Sequence, residues 1–147
     1  MTINKIRMFN RYYTSILGVF DQQTFGLPYS MIELRILGTI GRHDGITANT
    51  LIKTLNIKKS YLSRIVSKLE KDGYIIKQKN QHDSRSFNLY LTKDGTQLND
   101  FIEKKSDEQI ATLLASLDET DLKKLTTAMA TIKNILGPIV PDNLEED

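Results

Sequence analysis

The chain has 147 residues, 39% hydrophobic and 26% charged, with a net charge of +2 and no Cys. Those values fit one ordinary globular domain able to bury a core, and they exclude disordered and fibrous classes. The lack of Cys removes disulfides, thiolate catalysis, Cys-ligated zinc and thiol redox sensing. No apolar run reaches the roughly 18 residues of a membrane span, and the opening MTINKIRMFNRYY lacks the apolar core and small-residue cleavage site of a secretory signal. A cytoplasmic protein with no membrane contact is expected.

In chain order, Ile3, Ile6, Phe9, Tyr13, Ile16, Leu17 and Phe20 recur at spacings of mostly three and four, which predicts a first amphipathic helix broken by FGLP. A second helix is predicted over about Tyr29 to Arg42, with Ile32, Ile36, Leu37 and Ile40 on one face and a stop near Gly41 and Gly45. A short third helix follows, with Thr47 as N-cap and Leu51, Ile52 and Leu55 inside. The stretch KKSYLSRIVSKLEKDG, Lys58 to Gly73, forms the fourth and ends where a left-handed residue is favoured.

After Gly73 the period changes. YIIKQK, Tyr74 to Lys79, and FNLYLT, Phe87 to Thr92, are rich in β-branched and aromatic residues and flank the polar loop NQHDSRS, so a β-hairpin is expected. Two longer helical patterns resume from Lys93: one runs through Leu98, Phe101, Ile102, Ile110, Leu113, Leu114 and Leu117, the other through Leu122, Leu125, Met129, Ile132 and Leu136. Asp118 with Glu119 and Asp121 gives the last helix an acidic start, and Gly137-Pro138 ends it.

Helix, tight turn, second helix, two-stranded hairpin is the order of a winged helix-turn-helix, whose second helix lies in the DNA major groove. The expected fold class is mainly α with a small β-wing, the winged helix-turn-helix being flanked by N- and C-terminal dimerisation helices. Charge agrees with that order. Residues 1–52 carry five Lys and Arg against three Asp and Glu, residues 53–93 ten against three, and residues 94–147 five against twelve. The middle is thus +7 and the last part −7, the footprint of a polyanion site balanced by an acidic remainder. A solvated charged surface is the bland alternative.

On a helical wheel Leu62, Ile65, Val66 and Leu69 form one apolar arc, while Ser60, Arg64, Ser67 and Lys71 lie opposite with Ser63 and Lys68 flanking. Small hydroxyl residues let a helix approach base edges, and cations neutralise phosphate or donate to guanine. Ser60, Ser63, Arg64 and Ser67 are therefore the candidate groove contacts, and Lys59, Lys68 and Lys79 the candidate phosphate contacts. Tyr61 is open between a phosphate hydrogen bond and packing at the helix edge. The expected N-cap, Lys58, is unusual where Asp or Ser is the norm.

KKSYLSRIVSKLEKDGYI followed by HDSRSFNLYLTKDG resembles the signature of MarR-type transcription regulators. The matching positions are Leu69, Glu70 and Gly73 after the Ser-containing helix, Asp83 and Arg85 in the wing, then Leu91, Thr92 and Gly95. The resemblance implies that Arg85 enters the minor groove and that Asp83 helps hold it; a narrow A·T-rich groove concentrates negative potential and suits an Arg. A weak surface ion pair between the two is the alternative. It also implies a symmetric homodimer on double-stranded DNA. The wide apolar stripes of the outer helices ask for the same partner, and two recognition helices would then meet a pseudo-palindromic operator with half-sites about 10 base pairs apart.

The organisation expected is a single domain, 1–147, with a DNA-binding lobe at 29–92, dimerisation helices at 1–22 and 96–137, and an acidic tail at 138–147. The function expected is a sequence-specific repressor released by a small-molecule effector; a winged-helix module docking on an acidic protein partner is the alternative. Arg11, Tyr12 and Tyr13 supply a cation and two phenols suited to a small aromatic or anionic effector, although such residues more often serve packing and interhelical contacts. His43 and His82 lie far apart without companion ligands, so no metal is expected. No GxxxxGK[ST] or GxGxxG occurs, and no catalytic residue or cofactor is assigned.

Overall fold

The structure, a computed structural model, describes residues 1–18 and 21–140. Phe20 of the first apolar stripe and the tail from Pro141 lie outside the described residues. Helix α1 spans Thr2–Leu17, α2 Met31–Arg42, α3 Ala48–Leu55, α4 Lys59–Lys71, α5 Lys93–Leu114 and α6 Glu119–Leu136; strands are β1 Ile46–Thr47, β2 Ile75–Lys79 and β3 Phe87–Leu91. This is a mainly helical winged fold with one small antiparallel sheet in the order β1-β3-β2.

Local signals account for most boundaries. Ser30, Thr47, Thr92 and Asp118 each accept a backbone N–H with the side chain and so start α2, α3, α5 and α6. Gly73 and Gly18, both at positive φ, follow α4 and α1. Two boundaries differ from the periodicity. Helix α2 begins at Met31, two residues late, because Ser30 is its cap. It ends at Arg42, as expected, and the missing side chain of Gly41 in its last turn admits Leu91: a Cβ there would lie 2.8 Å from Leu91 Cδ1. Helix α5 ends at Leu114, leaving Leu117 beyond it.

In the hairpin Ile75 faces Leu91 and Lys79 faces Phe87, and β1 adds Ile46 opposite Leu89. Two residues are too few to show an alternating pattern, so β1 leaves no periodic trace. The core joins Ile36, Leu37 and Ile40 of α2, Leu51 of α3, the apolar arc of α4, Ile75 and Leu89 of the hairpin, and Ile102 of α5. Helices α1 and α6 bury no residue.

Candidate nucleic-acid interface

Burial of Leu62, Ile65, Val66 and Leu69 orients α4. An apolar arc on one side necessarily turns the other outward; Lys59, Ser60, Ser63, Arg64, Ser67 and Lys71 are all exposed. The N-cap residue, Lys58, makes no side-chain capping bond. First-turn N–H groups and the positive end of the helix dipole therefore face solvent beside two lysines, a setting that favours an anion. Arg64 lies over the Tyr61 ring, 5.7 Å from its centroid, and this cation–π contact keeps the guanidinium on the outer face. Tyr61 thereby packs at the helix edge. Glu70, the single carboxylate of α4, pairs with Lys77 of β2 at 3.7 Å.

Lys68 departs from that face. Its Nζ donates to Glu33 Oε2 at 2.9 Å and to the Pro28 carbonyl at 2.9 Å, and stands 4.5 Å from the centroid of the Tyr29 ring. Glu33 also completes the cap of α2: Glu33 N donates to Ser30 Oγ at 3.3 Å, and Ser30 N donates to Glu33 Oε1 at 3.1 Å. Burial alone would raise the Glu33 carboxyl. The hydrogen bonds from Lys68 and Ser30 outweigh it, and the group titrates below its ordinary 4.5. Next to this pair Tyr29, 2% exposed, donates its hydroxyl to Asp72 at the end of α4. Burial first, and the Asp72 bond second, push the phenol upward.

The wing loop is closed by its own side chains. Asn80 N donates to the Ser86 carbonyl at 3.0 Å, while Asn80 Oδ1 accepts from His82 N at 2.8 Å and Asp83 N at 3.1 Å. Asp83 Oδ1 accepts from Arg85 N at 3.0 Å. The contact between these two residues is that backbone bond, which fixes the chain at Arg85 and leaves the residue exposed. Lys79 is exposed at the end of β2.

The two halves of the signature meet where α4 hands over to α5. Thr92 Oγ1 donates to the Gly73 carbonyl at 2.6 Å and accepts from Gly95 N at 3.0 Å, and Thr92 N donates to the Tyr74 carbonyl at 3.0 Å. A Cβ on Gly95 would lie 1.9 Å from that Tyr74 oxygen. Only glycine permits the approach.

A MarR family model matches residues 25–86. Over that lobe the chain is similar to the MarR family. It is similar to the HTH-type transcriptional regulator BilQ of Clostridioides difficile, 27% identical over 96 residues, 65% of each chain. The match thus spans just under two thirds of that relative's length. A MarR transcriptional regulator from Methanosarcina mazei superposes with TM-score 0.72 at 25% identity, over 94% of this chain and 98% of the other. Streptococcus pneumoniae FabT, solved in complex with DNA, superposes with TM-score 0.73 at 19% identity, over 91% and 99%.

Within this MarR-like lobe Lys59, Ser60, Ser63, Arg64 and Ser67 share one exposed face, Lys79, Asp83 and Arg85 stand on the wing, and the half-exposed Lys68 pairs with Glu33, 35 residues earlier. Tyr29, Ser30, Glu33 and Asp72 escape a reading based on periodicity. Ser30 and Glu33 did leave a signal, the three-residue spacing of a capping box ahead of an apolar run. Arg11 and Tyr12 are exposed on α1, and Tyr13 stacks on Phe9 at 5.5 Å. The open cleft of about 420 Å³ beside α4 is lined instead by residues such as Glu33, Tyr61 and Arg64. Among the described residues no group of three or more His, Cys, Asp or Glu is placed to hold a metal, and no helix is long and apolar enough to cross a membrane.

Proposed function

We propose that the chain is a sequence-specific, DNA-binding transcription regulator that acts as a homodimer and represses by occluding a promoter. The observation that carries this reading is the outer face of α4, where Lys59, Ser60, Ser63, Arg64 and Ser67 stand exposed over a fully apolar inner arc. Serines at that face allow close approach, Arg64 donates to a guanine edge, and Lys59 and Lys79 meet phosphate. Arg85, its backbone held by Asp83, enters an A·T-rich minor groove. Lys68, engaged by Glu33, is not among the contacts. FabT's solved DNA complex supports the same use of the shared fold.

Dimerisation rests on the outer helices. Ile3 and Ile6 of α1, Ile110 and Leu113 of α5, and Ile132 and Ile135 of α6 are 43% to 74% exposed. Apolar stripes of that extent cover one another between two chains. Two recognition helices related by a twofold axis read a pseudo-palindrome with half-sites about 10 base pairs apart. Release by a small aromatic or anionic effector is the finest part of the reading, supported by the cation and two phenols of Arg11, Tyr12 and Tyr13. No catalytic step belongs to it.

Selection of genomic fragments by the purified protein, followed by footprinting, tests the proposal. The expected result is a protected pseudo-palindrome bound far more tightly than random duplex, with affinity falling log-linearly as salt rises. Weak, sequence-blind binding would overturn it in favour of a module that docks on an acidic protein.

A further inference from the structure

We propose that Glu33 is a brake on sequence-blind DNA attraction, acting by holding the Lys68 ammonium away from the duplex. The inference rests on the DNA-binding reading above. Lys68 sits four residues after Arg64, so a free side chain there would stand one turn along on the cationic face. Instead its ammonium donates to Glu33 Oε2 and the Pro28 carbonyl, both at 2.9 Å, and its remaining side lies 4.5 Å from the Tyr29 ring centroid. An ammonium has three donors; two of these are engaged within the protein, while the Lys68 side chain keeps 41% of its surface exposed.

The anion that does this is itself fixed. Glu33 has a side chain only 16% exposed, and its second oxygen is tied to Ser30 N in the cap of α2. Release of Lys68 therefore breaks its bonds to both Glu33 and the Pro28 carbonyl, while Glu33 stays in place in the cap. Each protomer withholds one cation that position alone would have given to the DNA backbone. Electrostatic attraction of this kind is indifferent to sequence and sets non-specific affinity. Glu33 is accordingly a positioning residue that tunes the level of that attraction from outside the contact surface.

The substitution Glu33→Gln isolates the effect. Glutamine retains an oxygen for Ser30 N, so the cap survives, while its amide no longer holds an ammonium. Binding of the full-length protein to a random duplex is measured between 50 and 200 mM salt for wild type, E33Q, K68M and E33Q/K68M, with circular dichroism as the check on folding. E33Q is expected to bind random duplex more tightly and to steepen the slope of log K against log salt by about 0.9 per protomer. K68M is expected to leave the wild-type slope unchanged, and E33Q/K68M to return to it. A slope for E33Q equal to wild type overturns the inference. If E33Q does not fold, K68M decides alone: a flatter slope than wild type would show that Lys68 already touches phosphate. A wild-type protein without log-linear salt dependence overturns the DNA-binding reading as well, which separates the two failures.

Discussion

Helices α4 and α6 carry apolar residues at the same spacing of three and four, yet α4 buries four of them within one chain and α6 buries none. The difference lies in what surrounds each helix. Helix α4 shares one core cluster with α2, α3 and the hairpin, whose Ile36, Leu37, Leu51 and Leu89 are buried with its arc. Helix α6 has no such enclosure, and Ile132 and Ile135 remain 43% and 65% exposed. A stripe inside the lobe is a core, whereas the same stripe outside it is an exposed apolar surface. On the proposed function the same line divides the roles: the lobe presents the cationic face, and the outer helices would set the spacing between two such faces.

The sharpest way to break this comparison is a matched pair of truncations. Leu37→Ala, at a site with no exposure, is expected to destabilise the lobe by about 2–5 kcal/mol in urea unfolding, the usual cost of deleting a buried Leu. Ile135→Asp on α6 is expected to leave the circular dichroism of the lobe intact and to shift sedimentation toward the monomer. Should Ile135→Asp unfold the protein while remaining monomeric at every concentration, α6 would belong to an intrachain core and the contrast would fail.

Gly95 joins the two regions, and Gly95→Ala probes the joint. With a Cβ only 1.9 Å from the Tyr74 oxygen, the start of α5 must move, and overpacking of this kind costs about 1–3 kcal/mol. Thermal unfolding in which Gly95→Ala matched wild type would mean that α5 docks without the close approach. The motif position was legible in the sequence; its reason was not, because Tyr74 and Gly95 are brought together only by the hairpin between them.

The same distinction runs through the candidate site. Leu62, Ile65, Val66 and Leu69 could be assigned to the interior, and the serines and Arg64 to the exterior, because a helix wheel is a local property of the chain. The hairpin was legible from its change of period. Lys68 was not, since its wheel position flanks the cationic face and only the tertiary fold supplies Glu33, Pro28 and Tyr29 around its ammonium. Strand β1 was hidden by its length of two residues. Legibility thus ends where a side chain chooses a distant partner over the one its own helix face suggests.

On the lobe's outer face the expected effects are ones of binding, not stability. Arg64→Ala should weaken operator affinity by about 1–3 kcal/mol with an unchanged unfolding midpoint. Unaltered affinity in a folded Arg64→Ala protein would remove α4 from the groove. Arg85→Ala should weaken binding chiefly at A·T-rich flanks, and equal losses on every flank would contradict a minor-groove role.

The smallest effect expected is one of pH, and it tests whether the inward lysine stabilises the lobe. The Glu33 carboxyl titrates below its ordinary 4.5 in the folded chain, because the Lys68 and Ser30 bonds outweigh the burial that opposes them. A group whose folded value is depressed gives stability that is complete above the unfolded value and disappears as pH falls through the folded one. Wild type should therefore exceed Glu33→Gln in stability near neutrality, with the gap closing only as pH falls below the ordinary 4.5. The measurement is urea unfolding of both proteins at fixed protein concentration across the acid range. A gap that stayed constant through that range would mean that the charge on Glu33 contributes nothing and that its role is the neutral one of closing the α2 cap, which glutamine performs equally well.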